Sequence, residues 1–227
     1  MAIVSVRGLS RDYQQGEHTV HALRSVSLDI EPGEFTVLMG PSGSGKSTLL
    51  NLIGGLDKPT AGSVKIEGAD LAAMTPAERS DLRRDRLGFI FQAYNLIPVL
   101  TAAENAEFVL QLQGKPSDER RARAMETLEV VGLKGMEGRR PNELSGGQQQ
   151  RVAVARAIAG DPALVLADEP TANLDSTTSD ELIATMKHLN TEYGVTFVFA
   201  THDPKVMEAA QRVVRLVDGE IAEDTRA

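Results

Sequence analysis

The sequence predicts an α/β fold: a mixed, mostly parallel sheet covered by helices, with an N-terminal antiparallel β part and an inserted block of helices. Three observations carry this reading. Short β-rich runs dominate the beginning, strand-like and helix-like segments alternate toward the end, and the stretch between them has helical periodicity. Strands alternating with helices imply parallel neighbours whose crossover helices cover both faces of the sheet. The expected organisation is one domain over residues 1–227. Residues 1–92 and 161–227 form the core and its β part, and residues about 93–160 form the helical insertion.

Residues 3–9, 26–30, 34–39 and 63–67 alternate or cluster apolar side chains and are broken by Gly, Pro and Asp, as strands ended by turns are. Residues 48–53 form a helical run after the third of these. Leu87-Gly88-Phe89-Ile90-Phe91 is compact and apolar, a buried strand by pattern. Thr75 with Glu78, and Thr101 with Glu104, fit the capping box, and Pro76 occupies a first-turn position where its missing N–H costs nothing. Ala122, Met125, Leu128 and Val131 recur at helical spacing beside Glu119, Arg120, Arg123 and Glu126, which predicts a surface helix with that apolar stripe inward. Arg139-Arg140-Pro141 closes the segment, and residues 148–159 form an Ala-rich helical run. Residues 163–167 then read as a buried strand, and Leu182, Ile183, Met186 and Leu189 as one face of a helix. Residues 195–200 are another strand, Asp203-Pro204 opens a helix, and residues 213–217 are a strand again.

Composition narrows the function. With 41% hydrophobic and 25% charged residues, the chain can build an ordinary globular core. A net charge of -8 argues against nucleic acid as a general partner and against adhesion to anionic lipid. The absence of cysteine excludes disulfides and thiolate metal sites. No run of about 18 apolar residues occurs and the N-terminus lacks a secretory pattern, so a soluble, cytoplasmic protein is expected. If it serves transport, other chains must supply the pore.

Two motifs carry the chemistry. Gly40-Pro41-Ser42-Gly43-Ser44-Gly45-Lys46-Ser47-Thr48 fits the phosphate loop G-x-x-x-x-G-K-[ST] and lies between a strand and a helical run, the context that motif requires. Its glycines let backbone N–H groups turn inward around phosphates, and the helix N-terminus adds a favourable dipole. Lys46 is expected to bridge phosphates, and Ser47 to place a hydroxyl on Mg²⁺. A Gly-rich turn that binds nothing is the plain alternative, and the strand–loop–helix context speaks against it. The second motif is Leu144-Ser145-Gly146-Gly147-Gln148, where a Ser hydroxyl and Gly amides open a helix. Downstream, the apolar strand ends in Asp168-Glu169. Asp168 is expected in the Mg²⁺ shell and Glu169 as the group that polarises an attacking water, their roles separated because adjacent strand side chains point to opposite sides. Simple ion pairing without chemistry is the rival reading of the two carboxylates.

Taken in order, these motifs resemble those of the ATP-binding cassette (ABC) ATPases over essentially the whole chain. The resemblance implies a P-loop NTPase core, ATP and Mg²⁺ as cofactors, and ATP hydrolysis. It matches Gln92 to the glutamine that touches Mg²⁺ and water and senses a membrane partner. It matches Asn173-Leu174-Asp175 to the loop that includes Asp175 in the nucleotide site, and His202 to the histidine at the γ-phosphate. Tyr13 matches the aromatic that stacks on adenine, with Val20 as a second wall. A lone Gln, His or Tyr would mean little; their order relative to the phosphate loop raises all of them. The resemblance also explains a second anion-binding segment: two copies pack head to tail in the ATP-bound state, with Ser145, Gly146, Gly147 and Gln148 of one facing the phosphate loop of the other.

The stretches Gly54-Gly55-Leu56-Asp57-Lys58-Pro59-Thr60, Leu87-Gly88-Phe89-Ile90-Phe91-Gln92 and Leu166-Ala167-Asp168-Glu169-Pro170-Thr171-Ala172-Asn173-Leu174-Asp175 are similar to the bacterial lipoprotein-release, macrolide-export and cell-division group. Ala172 departs from the Gly usual there, outside the catalytic positions. This implies a peripheral subunit on the cytoplasmic face of the inner membrane, held by a permease whose contact is expected at residues 94–99. The alternative is a regulatory module that recruits envelope or cell-division partners without transport. A repair or translation ATPase would need a coiled-coil insertion or a second cassette, and a P-loop kinase would not carry residues 144–148 with His202.

Overall fold

The computed structural model describes residues 1–16 and 18–226; residues 17 and 227 of the expected domain span lie outside the described residues. In chain order the strands are β1 (Val4–Gln15), β2 (His18–Ile30), β3 (Phe35–Met39), β4 (Ala61–Ile66), β5 (Ala69–Asp70), β6 (Leu87–Phe91), β7 (Leu164–Asp168), β8 (Thr196–Ala200), β9 (Arg212–Val217) and β10 (Glu220–Arg226). The helices are α1 (Lys46–Ile53), α2 (Pro76–Arg86), α3 (Ala102–Leu112), α4 (Ser117–Val130), α5 (Gly146–Ala159), α6 (Ser176–Tyr193) and α7 (Pro204–Glu208).

Two sheets result. One is antiparallel, in the order β2-β1-β4-β5; the other runs β10-β9-β3-β8-β7-β6. In the second, β9, β3, β8, β7 and β6 are parallel and β10 closes the edge antiparallel to β9, so the sheet is mixed and mostly parallel as expected. Its central strands are mostly apolar and buried along nearly their whole length, because each is covered on both faces. Phe35, Phe197 and Phe199 stack on one face, with ring centroids 4.5–5.7 Å apart.

The phosphate-loop helix α1 lies between the sheets. Its Leu49, Leu50, Leu52 and Ile53 are buried with Val4, Val6 and Leu9 of β1 and with Leu38, Leu166 and Val198 of the parallel sheet. Each such side chain contributes about 1.5–3 kcal/mol by leaving water. Helices α3, α4, α5 and α6 contribute to a second cluster on the other face of that sheet. Helix α5 approaches closely because alanines at 153, 155, 157 and 159 are buried.

Both expected capping boxes form. Thr75 Oγ1 accepts from Glu78 N–H and Thr101 Oγ1 from Glu104 N–H, with each glutamate returning a bond to the cap. The expected stripe on α4 holds at Leu128 and Val131 but not at its other two positions. Ala122 and Met125 are exposed, and the inward face is Ala124, Thr127, Leu128 and Val131. Thr127 fits inside because its hydroxyl donates to the carbonyls of Arg123 and Ala124, at 3.1 and 3.0 Å, which satisfies the buried oxygen locally.

Candidate active site

Parallel strands end together, and here that edge gathers the expected residues. The register pairs Leu38 with Ala200, Asp168 with Ala200, and Phe91 with Asp168. The next residues of β3, β6, β7 and β8 therefore leave the sheet on one side: the phosphate loop, Gln92, Glu169, and Thr201 with His202. Ligands of open α/β sheets bind at such carboxyl ends.

A cleft of about 670 Å³ opens at this edge, lined by Tyr13, Val20, His21, Ala22, residues 40–48, Glu169 and His202. All the expected phosphate-loop residues, Gly40, Ser42, Gly43, Ser44, Gly45, Lys46, Ser47 and Thr48, face it. Gly45 is, with Gly40, a tight point of the loop that admits no side chain. Its φ is +99°, and a Cβ there would come within 2.5 Å of the Ala22 carbonyl and 2.8 Å of Leu23 Cδ2. Any side chain would push β2 away from the loop. Lys46 crosses inside the loop, and its Nζ donates to the carbonyls of Gly40 at 2.8 Å and Pro41 at 3.1 Å. Ser44 Oγ is buried without a partner, a donor left over at the cradle wall.

Tyr13 and Val20 are cross-strand partners in the β1–β2 hairpin, which puts both side chains on one face at the cleft mouth. Their neighbours Asp12 and His21 pair likewise, and His21 Nδ1 lies 2.8 Å from Asp12 Oδ1. Sequence reading missed His21 and Ala22; the only available signal was their adjacency to Val20.

The two carboxylates separate, but not for the expected reason. Asp168 ends β7, whereas Glu169 has left the strand with φ +47°. It is the turn, rather than strand alternation, that parts them. Asp168 Oδ1 accepts from Ser47 Oγ at 2.9 Å. Burial holds its carboxyl above the usual range; the Ser47 bond pulls it back down, the neighbouring Glu169 adds to the rise, and Lys46 opposes it. Glu169 turns to β8, where Thr201 Oγ1 donates to Oε2 at 2.9 Å and His202 Nδ1 lies 2.8 Å from Oε1. Its backbone N–H donates to Ala200 O at 2.8 Å. The carboxylate is thus oriented by two neighbours, and its backbone by a third, while still lining the cleft.

Oxygen donors suit Mg²⁺, and Ser47 with Asp168 supplies two at bonding distance of each other. Among the described residues no group of three His, Cys, Asp or Glu could hold a metal alone. That donor set fits an ion shared with phosphate oxygens and water.

Other expected residues stand apart. Gln92 is exposed one residue past β6, and its side chain does not line the cleft. Its carbonyl accepts from Asn173 Nδ2 at 2.9 Å. Ser145, Gly147 and Gln148 border a different cavity with Gly132, Arg151, Thr178 and Glu181. Ser145 caps α5: its Oγ accepts from Gln148 N–H at 3.3 Å, and Gln148 Oε1 accepts from Ser145 N–H at 3.0 Å. Gly146 lies against Tyr94, whose hydroxyl would sit 2.9 Å from a Cβ added there. A Cβ on Gly147 would run into Thr178, which Asp175 holds through a 2.6 Å bond while capping α6.

The 94–99 segment is anchored inward more than it is free. Asn105 Oδ1 accepts from Ile97 N–H at 2.8 Å, and Asn105 Nδ2 donates to the carbonyls of Ile97, Leu100 and Thr101. Arg156 donates to the carbonyls of Tyr94 and Asn95, both of which have positive φ. Beside it runs an apolar groove of about 410 Å³, walled by Leu56, Phe89, Phe91, Val109 and Leu112. Of residues 94–99 only Asn95 lines it. Leu96 packs on the core instead.

A phosphate cradle at a parallel-sheet edge, a two-carboxylate strand end and an inserted helical block define an ATP-binding cassette of the P-loop class. The chain belongs to the ABC transporter family, whose model matches residues 23–172. It is 46% identical to the uncharacterized ABC transporter ATP-binding protein MJ0796 of Methanocaldococcus jannaschii, covering 99% of this chain and 97% of that one. It is also 46% identical to the macrolide export ATP-binding/permease protein MacB of Mannheimia succiniciproducens, over 100% of this chain. The chain spans only 35% of that protein's length. The solved dimer of the MJ0796 cassette in a post-hydrolysis state bound to ADP and Pi superposes with a TM-score of 0.90 at 45% identity, over 98% of both chains. The chain is an ABC ATPase.

Proposed function

We propose that this chain is the ATP-hydrolysing cassette of a membrane transport complex and works as a homodimer that closes on ATP. The observation that carries the proposal is the single cleft that joins Tyr13, the phosphate loop, Glu169 and His202. Lys46 and the amides of residues 40–48 bind the triphosphate, and Ser47 and Asp168 hold Mg²⁺. When bound, Mg²⁺ neutralises phosphate charge and so favours attack by water. Glu169 takes the proton of that water, held in place by Thr201 and His202. Gln92 follows the neighbouring strand end and lies outside the cleft here; it would have to swing in when nucleotide and partner bind, linking the two.

The dimer is supported by where residues 145–148 lie. They form the N-terminus of α5 away from their own chain's cleft, so their anion site serves another copy, with Asp175 beside it. A homologous cassette is known as a dimer with ADP and Pi. The membrane partner is a permease, as joined to the cassette in the relatives named MacB. Its docking place is the groove of Leu56, Phe89, Phe91, Val109 and Leu112. Export, or lipoprotein or peptide release, fits that kinship. No helix among the described residues is long and apolar enough to cross a membrane, in keeping with a separate membrane part. The division into a core with its β part, residues 1–92 and 161–227, and a helical insertion, residues about 93–160 between β6 and β7, belongs to the same proposal.

The test is Glu169→Gln with ATP and Mg²⁺, read by light scattering and phosphate release. We expect turnover to fall by at least about 10²-fold, the scale of a lost general base, and the mass to double. Normal turnover would reassign the base; a monomer that still binds ATP would sink the dimer.

A further inference from the structure

One stretch that marks the sequence, Gly54 to Thr60, has no place in the chemistry above. It follows α1 and turns back on it, with Leu56 N–H donating to Asn51 O at 2.9 Å. From there it is laced to β1. Thr60 N–H donates to Ser10 O at 2.8 Å, and Asp12 N–H donates to Thr60 Oγ1 at 2.9 Å. Between these bonds, Asp57 receives three more. Arg11 donates from Nε to Oδ2 and from Nη2 to Oδ1, both at 2.9 Å, and the Tyr13 hydroxyl donates to Oδ2 at 2.8 Å. The Arg11 guanidinium also lies over the Tyr13 ring, 4.4 Å from its centroid. Arg11 does not line the cleft whereas Tyr13 does, so the cation takes up one ring face while the tyrosine still reaches the cleft.

A tyrosine that merely covered a sheet edge would need none of this. Its ring would turn about two side-chain torsions, and stacking a base would cost the entropy of stopping it. Here the backbone end is fixed by pairing with Val20, the hydroxyl by Asp57 and one face by Arg11. We propose that Asp57, with Arg11, is the positioning pair of the adenine platform: it sets the plane of the Tyr13 ring against which the purine of the nucleotide stacks. The pair ties that plane to the tail of α1, whose head is the phosphate cradle, so one rigid element spaces base and phosphates. This rests on the reading of Tyr13 as the base-stacking residue.

The prediction is selective. Asp57→Ala weakens binding of ATP roughly fivefold, the scale of one lost hydrogen bond, and leaves Mg²⁺-tripolyphosphate binding unchanged, because only the base end is loosened. Tyr13→Phe, which removes the hydroxyl and little else, reproduces part of that loss. The double variant is no weaker than Asp57→Ala alone, since both act through one contact. KM for ATP rises while kcat holds. An equal loss of ATP and tripolyphosphate would make Asp57 a fold residue and overturn the proposal, as would full ATP affinity in both Asp57→Ala and Tyr13→Phe. Tyr13→Ala with unaltered ATP affinity would instead remove the platform reading, and this inference with it.

Discussion

Asp168 and Glu169 show how one peptide bond can divide two carboxylates between two jobs. Asp168 stays on β7, half-buried and tied to Ser47, while the positive φ of Glu169 swings it toward Thr201 and His202. Burial raises the Asp168 pKa, so its protonated form is favoured on folding. Such a group contributes stability below its unfolded pKa near about 4 and loses it as pH rises through the folded value. At neutral pH the ionised carboxylate therefore opposes folding. Asp168→Asn keeps an acceptor for Ser47 and removes the charge. We expect its Tm without nucleotide to rise at about pH 7, by about 2–4 °C for each kcal/mol recovered, and the gain to vanish near about pH 3. Mg²⁺-dependent turnover should be lost in the same variant, a site kept at some expense in stability. An unchanged Tm in calorimetry would mean that the burial cost is already offset.

Strand β10 answers a different problem: how an open sheet ends. It covers β9, and its hold is ionic more than apolar, since most of its side chains are exposed. Arg212 of β9 is buried at 6% exposure and donates to both oxygens of Asp224 at 2.8 and 2.7 Å, to Glu34 at 3.2 Å and to the carbonyl of Asp29. It thus joins β10, β9, the entry to β3 and the end of β2. The bonds from Arg212 hold the Asp224 carboxyl below the usual range. The sign is opposite to that of Asp168: this stability is present above the unfolded pKa and is lost as pH falls through the lowered one. Asp224→Asn should lower Tm at about pH 7 and lose less of it between about pH 4 and 2. Acid-unfolding curves that overlay those of the natural chain would assign the edge to backbone pairing alone.

Seen whole, the molecule places its chemistry at the carboxyl ends of the parallel strands and an apolar groove along the edge strand β6, where we propose that the partner docks. The groove is apolar and partly exposed, with Leu56 at 48% and Leu112 at 55% exposure. Exposed apolar surface of this kind marks a contact site more often than chance. Leu112→Asp and Leu56→Asp touch no core packing, so the fold and basal ATP hydrolysis should persist. Capture of a permease from native membranes by the ATP-loaded Glu169→Gln cassette, read by mass spectrometry, should be lost with either. Val99→Asp, 73% exposed but outside the groove, should leave capture intact. Loss with Val99→Asp alone would return the contact to residues 94–99, and only soluble proteins in every capture would favour the regulatory reading.

Local pattern was enough to read the phosphate loop, both capping boxes and the apolar strands, because each is written in neighbouring residues and needs no distant partner. The same holds for the buried face of α6, where Leu182, Ile183, Met186 and Leu189 are all inside. Elsewhere the answer lay in contacts far apart in the chain. The stripe on α4 was misread because a threonine can be buried when its hydroxyl bonds back to its own helix. The separation of Asp168 from Glu169 came from a turn that β8 accepts through a single backbone bond. The docking place proposed here lies on side chains of β6, α3 and the segment after α1 instead of residues 94–99, since Asn105 and Arg156 draw that loop inward. The link between Gly54 to Thr60 and Tyr13 spans 44 residues and was invisible as pattern. Periodicity and motif spacing record what a segment is; which segments meet is decided only when the two sheets close on α1 and the burial of their shared core fixes the distances.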